Sequence, residues 1–371
     1  MVDAIAKAFP NSEIIPRTGG QQNTVVEVRR PSPTRDRRGP AGTVCCMRAV
    51  VCEGAGGIDV LTIGEIDDPK PAVDEVVIDV VAAGVNRADL LQRQGHYPPP
   101  PGAPGTIGLE VSGTISAVGA EVAGWSVGDE CCALLAGGGY AEQVVVPAPQ
   151  VMPVPDGLDL VSAAALPEVV ATVWSNVFMT AHLKEGETLL VHGGASGIGT
   201  MAIQLAVAHG ARVLCTVGST DKMEFCTRLG ADVAINYKDA EWASVVKEAT
   251  GKAGADVILD IIGAKYLADN VKTLAYDGRL VVIGLQGGAK GELDLGRLMS
   301  RRGSITGTGL RARSVEDKGR ILAEVVGHVW PLIAAKKVRP IVHTTFPLDQ
   351  VRRAHETLEQ STQTGKVLLT L

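Results

Sequence analysis

Residues 189–206 read LLVHGGASGIGTMAIQLA, an apolar run that meets a burst of glycines and then an alanine-rich helical pattern. Strand, glycine-rich turn and helix together can hold a diphosphate. Backbone N–H groups and the positive helix end point at the anion, and no bulky side chain stands in the way. The letters fit two spacings. One is Gly194-x-Ser196-x-x-Gly199, with serine in the middle place of G-x-G-x-x-G; the other is Gly193-x-x-x-Gly197-x-Gly199. Gly193 and Gly194 let the chain turn, Ser196 adds a hydroxyl, and Gly197 and Gly199 allow close helix–strand approach. Gly194, Ala195, Ser196, Gly197 and Ile198 are the candidate diphosphate contacts. The competing reading is a tight turn that holds nothing.

About 20 residues after such a loop, NAD binders usually carry an acid for the ribose 2′-hydroxyl. Here the next strand ends CTVGSTDK (215–222). Ser219 and Lys222, with Tyr237 at the end of the third strand, suit a 2′-phosphate instead, so NADPH is the expected cofactor. The alternatives are that Lys222 is an ordinary solvated helix charge and that Asp221 takes the ribose. Asp221 is expected rather to cap the following helix.

The elements that must position these residues follow from the sequence rhythm. From residue 187, strand patterns alternate with helix patterns: ETLLVHG (187–193), ARVLCTVG (211–218), DVAINY (232–237), ADVILDIIG (255–263) and GRLVVIG (278–284). TMAIQLAVAHG and TDKMEFCTRLG lie between, each closing on a glycine. SITGTGL (304–310) makes a sixth strand. This is the pattern of a doubly wound parallel sheet. Residues 47–165 read differently, as short strands between Gly/Pro turns. Examples are MRAVV (47–51), EVVIDVVAAGV (75–85), SGTISAVG (112–119) and AEQVVVP (141–147), followed by the Pro-studded VMPVPDGLD (151–159). The tail ends in a strand pattern and is expected to return to the β-rich unit. The expected division is an extension (1–46), a β-rich part (47–168), the nucleotide-binding insert (169–308) and the return (309–371).

A chain of 371 residues can bury two cores. Its 44 glycines, with only four Phe and four Trp, suit an Ala/Val/Gly/Leu-rich α/β enzyme. A net charge of −6 provides no field toward nucleic acid, and none is expected as a partner. Seven cysteines without C-x-x-C fit a reducing, cytoplasmic setting and no disulfide framework. No membrane span is expected. VRRPSPTRDRRGPAG (28–42) marks residues 1–46 as a disordered extension. Asp3, Glu13, Glu27 and Asp36 argue against a transit peptide.

A short-chain dehydrogenase would need Tyr-x-x-x-Lys downstream of the loop. Tyr237, Tyr266 and Tyr276 are followed four places on by Glu241, Asn270 and Leu280, so that reading fails. A β-rich unit before the loop and a C-terminal return resemble the medium-chain dehydrogenase/reductase superfamily, with a GroES-like catalytic domain holding an inserted Rossmann domain. That family's G-H-E zinc segment stands here as Gly108-Leu109-Glu110, and its zinc-cysteine loop as Ala83-Gly84-Val85-Asn86, so the expected metal is none. The sequence resembles the zinc-free quinone oxidoreductase branch, and within it the tumour-suppressor-inducible subfamily. The resemblance rests on AAGVNRADLLQRQGHYPPPPGAP (82–104), GLEVSGTISAVG (108–119), GGGYAEQVVVP (137–147), the loop at 193–199 and TGKVLLTL (364–371). It covers Met47 to Leu371. The departure is in the phosphate loop, where the A-x-x-G-x-x-G frequent among such proteins becomes Gly193, Ser196 and Gly199.

The resemblance implies an NADPH-dependent reductase of quinones or activated enones that pairs as a homodimer. Asn86 and Tyr97 would face nicotinamide and acceptor, and Thr172 would supply the nicotinamide-side hydroxyl. Gly263, Gly284, Leu285 and Lys366 would line the cofactor. An enoyl-thioester reductase with Tyr97 as proton donor, and a non-catalytic NADPH-binding redox sensor, are the alternatives. Each residue also has a plainer reading: Tyr97 packs a proline turn, and Asn86 caps the helix ADLLQRQG. His96, His182 and His192 are structural, and Arg311 and Arg313, within reach of the cofactor cleft on the functional reading, are expected instead in a solvated loop.

Overall fold

The computed structural model of the protein describes residues 46–371. The expected extension over 1–46 therefore falls outside the described residues, apart from Cys46, which opens the first strand. β1 (Cys46–Cys52) and β2 (Leu61–Asp67) form an antiparallel hairpin. A β-rich sheet then uses β3 (Glu75–Val85), β4 (Glu110–Val118), β5 (Glu130–Leu134), β6 (Gln143–Pro147) and β7 (Val151–Pro153). The Pro-studded VMPVPDGLD stretch contributes β7, in which Val151 and Met152 are buried and pair with Ala133 and Cys132.

The chain next runs through a helical stretch, Leu160–Thr180, 78% buried inside the fold, which makes it a core element. Its last part, Trp174–Thr180, is wound as a π-helix. Six parallel strands follow: β8 (Thr188–His192), β9 (Arg212–Val217), β10 (Val233–Asn236), β11 (Ala255–Asp260), β12 (Leu274–Val282) and β13 (Ser304–Gly307). Their order is β10-β9-β8-β11-β12-β13, so strands are added first on one side of β8 and then on the other, and such sheets open a crevice for ligands at that switch. β12 begins earlier than GRLVVIG suggests, and β13 is shorter than SITGTGL. Helices Gly197–Ala208 and Thr220–Arg228 stop where Gly210 and Gly230 adopt φ of +74° and +114°, the left-handed conformation that ends a helix at low cost.

β14 (Val342–Pro347) and β15 (Lys366–Thr370) then rejoin the β-rich sheet. β15 lies antiparallel to β3, with Val367 opposite Val85 and Thr370 opposite Ala82. The parallel sheet is thus inserted in the β-rich fold. A backbone bond from Gly365 N–H to the Ala195 carbonyl, 2.8 Å, stitches the lead-in of β15 to the glycine-rich loop.

Candidate active site

The loop after β8 is held by its own residues. Ser196 caps the helix Gly197–Ala208 by accepting the Gly199 N–H at 3.0 Å, and its hydroxyl donates to the Gly193 carbonyl at 2.7 Å. A Cβ on Gly199 would run into the backbone of Gly193 and Gly194, so no other residue lets the helix start so close to the strand. Gly197 is bordered by the Lys366 stem and by Val169. The result is a helix N-terminus whose first N–H groups, at Gly197 and Ile198, have no intrahelical partner, which fits a diphosphate.

On the β-rich side, buried charges converge from distant segments. Glu110 begins β4 with no solvent exposure. A Cβ on Gly84 would occupy the space of its carboxylate, which explains the glycine one strand over. Lys366, the first residue of β15, sets Nζ 2.5 Å from Glu110 Oε1. It also donates to Asn86 Oδ1 at 2.6 Å and to the Val85 carbonyl at 3.3 Å. Asn86 Nδ2 donates to Glu110 Oε1 at 2.9 Å. Glu110 Oε2 accepts the backbone N–H of Glu168 at 2.8 Å. Asn86 N–H donates to Asp89 Oδ2 at 2.7 Å, and the same oxygen accepts the Tyr140 hydroxyl at 3.0 Å. Asn86 is therefore the N-cap of helix Arg87–Arg93 and also a strut between Glu110 and Lys366. The Lys366 ammonium is spent on this network, and only its stem borders the glycine loop.

Three carboxyl groups share that one ammonium, so they cannot all carry charge cheaply. Burial pushes Asp89 up to about 6, against the pull of the Asn86 N–H and the Tyr140 hydroxyl. Burial, and then the Glu110 charge, push Glu168 up to about 8. Thr172, one turn further along the same helix, donates to Glu168 Oε1 at 3.4 Å. The π-turn beyond it lets Asn176 Nδ2 donate to the Thr172 carbonyl at 2.8 Å while Asn176 Oδ1 accepts from Thr308. Thr172 is so fixed to the end of the parallel sheet.

Tyr97 packs against Arg311. The Arg311 guanidinium lies 5.3 Å from its ring centroid and donates to the Tyr97 carbonyl at 3.3 Å. Arg311 is 5% exposed and also bonds Ala136 and Gln92, which corrects its placement in a solvated loop. Arg313 instead pairs with Asp317 at 2.9 Å. Burial, then the Glu168 charge, raise the Tyr97 phenol, so it is a poorer proton donor than a free tyrosine. Arg311 and the buried Lys318 line a cavity of about 770 Å³ walled by Pro100–Pro104 and residues 135–138.

At the adenosine end, Ser219 caps helix Thr220–Arg228; Asp221, expected as the cap, lies within the first turn. The Tyr237 hydroxyl closes over Gly218. Lys222 Nζ donates to the Ser361 carbonyl at 2.6 Å, which brings it across to the β-rich side. Burial and, less strongly, the nearby charge of Lys238 lower the Lys222 ammonium. Gly263, Gly284 and Leu285 lie past the ends of β11 and β12, the same edge as the glycine loop, and Leu285 is exposed. His96 and His182 are exposed. His192 is buried between Thr216 Oγ1 (3.0 Å) and Asn270 Oδ1 (2.7 Å), a packed structural histidine held by burial down to about 4.

Glu168, Lys318 and Lys238 were not singled out in the sequence. For Glu168 a signal existed: it is the lone acid in the apolar run 160–174. Lys318 and Lys238 look like ordinary helix and loop charges until the fold places them.

A parallel nucleotide-type sheet inserted in a β-rich fold, with the loop and the ion network facing across the join, defines a medium-chain dehydrogenase/reductase, an oxidoreductase. The family model for the alcohol dehydrogenase GroES-like domain matches residues 72–156, and that for zinc-binding dehydrogenase matches residues 197–324. Within the superfamily, the chain belongs to the quinone oxidoreductase branch. It is 32% identical to the quinone oxidoreductase of Rattus norvegicus over 88% of this chain and 98% of that protein. The Escherichia coli quinone oxidoreductase solved in complex with NADPH superposes with a TM-score of 0.78 at 29% identity, covering 87% of this chain and all of that one. CurK enoyl reductase superposes with a TM-score of 0.76 at 26% identity, covering 87% and 99%. The family name implies zinc, but the residues at its expected locus do not fit it. Leu109 offers no donor atom, the neutral Asn86 amide is engaged by Lys366, and an ammonium already stands against Glu110.

Proposed function

We propose that the chain passes hydride from NADPH to quinones or similarly activated enones without zinc. The observation that carries this reading is the ammonium of Lys366 closed on Glu110 and Asn86, where a metal ligand set would otherwise polarise a carbonyl. An ordinary ketone needs that polarisation; a quinone is already electrophilic. Ser196, Gly197 and Ile198 would hold the diphosphate, and Ser219, Lys222 and Tyr237 the 2′-phosphate. Bound NADPH supplies the hydride. The residues around it hold nicotinamide and acceptor together and keep water out. The NADPH complex of the Escherichia coli relative supports the choice of cofactor. The outward side of β13 is the sheet edge through which we expect two copies to join.

The test is oxidation of NADPH and of NADH against ortho-quinones, para-quinones and enoyl thioesters. Quinone turnover with NADPH well ahead of NADH is expected. The likeness to CurK favours one second reading, an enoyl-thioester reductase. Crotonyl-thioester turnover exceeding every quinone, and lost in Tyr97→Phe, would establish it. Tight NADPH binding with no acceptor turned over would point to a sensor.

A further inference from the structure

Of the three carboxyl groups in the network only Glu110 has a direct counter-ion, and Glu168 has the fewest hydrogen-bond donors. Glu110 takes the Lys366 ammonium, the Asn86 amide and the Glu168 N–H. Asp89 takes the Asn86 N–H and the Tyr140 hydroxyl. The Glu168 side chain has only the Thr172 hydroxyl within hydrogen-bonding range, and it retains some solvent access. It projects from the helix whose Val169 borders Gly197 of the cofactor loop, one turn before Thr172, and its ionisation is coupled electrostatically to Tyr97, Arg311 and Lys318.

We propose that Glu168 is the acid that donates the proton to the acceptor. This rests on the quinone-reductase reading above. A quinone that gains hydride has gained two electrons and one proton; it needs one further proton to leave as hydroquinone. The Glu168 O–H bond breaks as the new O–H bond forms on the acceptor oxygen, and the nicotinamide is oxidised by the same two electrons. The carboxylate left behind is reprotonated from solvent.

The groups around Glu168 set its task. Glu110 on β4 and Asp89 on helix Arg87–Arg93 oppose a charge there, so the resting group keeps its proton at neutral pH; Lys366 on β15 offsets them only in part. Arg311 and Lys318 are coupled to Glu168 by charge, and their positive charges favour the carboxylate once the proton has gone. Tyr97, whose phenol is raised, is left to position the acceptor.

The variants are Glu168→Gln and Glu168→Asp. Wild-type quinone reduction should fall as pH rises through about 8. Glu168→Gln should be slower in kcat by roughly 100-fold or more, with no such limb, and Glu168→Asp should restore part of the rate. A second readout needs neither cofactor nor acceptor: the infrared carbonyl band of a protonated carboxylic acid. It should be present in wild type near neutral pH, disappear above about pH 8, and be missing from Glu168→Gln. An unchanged band in Glu168→Gln, or an unchanged pH profile, overturns the proposal. A wild type that reduces no quinone but shows the Glu168 band overturns the quinone reading and the donor role, and leaves the assignment of the proton standing.

Discussion

The two walls of the site are built in opposite ways. On the parallel-sheet side, residues 193–199 make a neutral anion cradle from consecutive backbone groups, capped by their own serine. On the β-rich side, Asn86, Asp89, Glu110, Glu168 and Lys366 make a charged lattice from segments up to 280 residues apart. The first wall depends on what side chains leave out, the second on what they bring in. A cradle of amides tolerates small replacements, whereas a buried ion lattice tolerates none that leaves a charge alone.

The comparison is tested most severely at Lys366. Lys366→Met should destabilise the fold by roughly 3–5 kcal/mol, because Glu110 is left buried and uncompensated. Adding Glu110→Gln should recover much of that loss. Denaturant midpoints check both, and a single variant as stable as wild type would show the lattice to be incidental. A smaller effect is expected at Lys222, which belongs to the cradle side. Lys222→Ala should weaken NADPH by roughly 10- to 100-fold, since a charge-assisted bond contributes about 1.5–3 kcal/mol. NADH affinity should not move, and a fluorescence titration with both cofactors decides it. Smallest is Ser219→Ala, which removes a helix cap worth about 1 kcal/mol. If Ser219 also binds the 2′-phosphate, the loss of NADPH affinity will exceed the loss of stability seen in the same variant without cofactor.

The same contrast explains what could be read in advance. The cradle and the alternating strands are local patterns, so LLVHGGASGIGT and the succession of strand and helix segments are legible within short windows. β7 was missed because prolines at 153 and 155 disguise a three-residue strand, and the helix cap was misplaced by two residues because Ser219 and Asp221 are both good caps. The ion lattice was not legible as a unit. Asn86 and Lys366 were named separately, for nicotinamide and cofactor, and nothing in either window says that they touch. Arg311 was read as solvated because a charged residue in a loop usually is; only the tertiary placement of Tyr97 and Gln92 gives it a buried home.

The bond between Gly365 and Ala195 and the ion pair begun by the next residue have a consequence for biosynthesis. All six parallel strands have been translated once Gly307 is made, so that sheet can assemble while the ribosome is still working. Glu110 has by then waited for more than half the length of the chain without a counter-ion. The catalytic half consequently matures late and all at once, when the strand carrying Lys366 emerges from the exit tunnel and slides in beside β3.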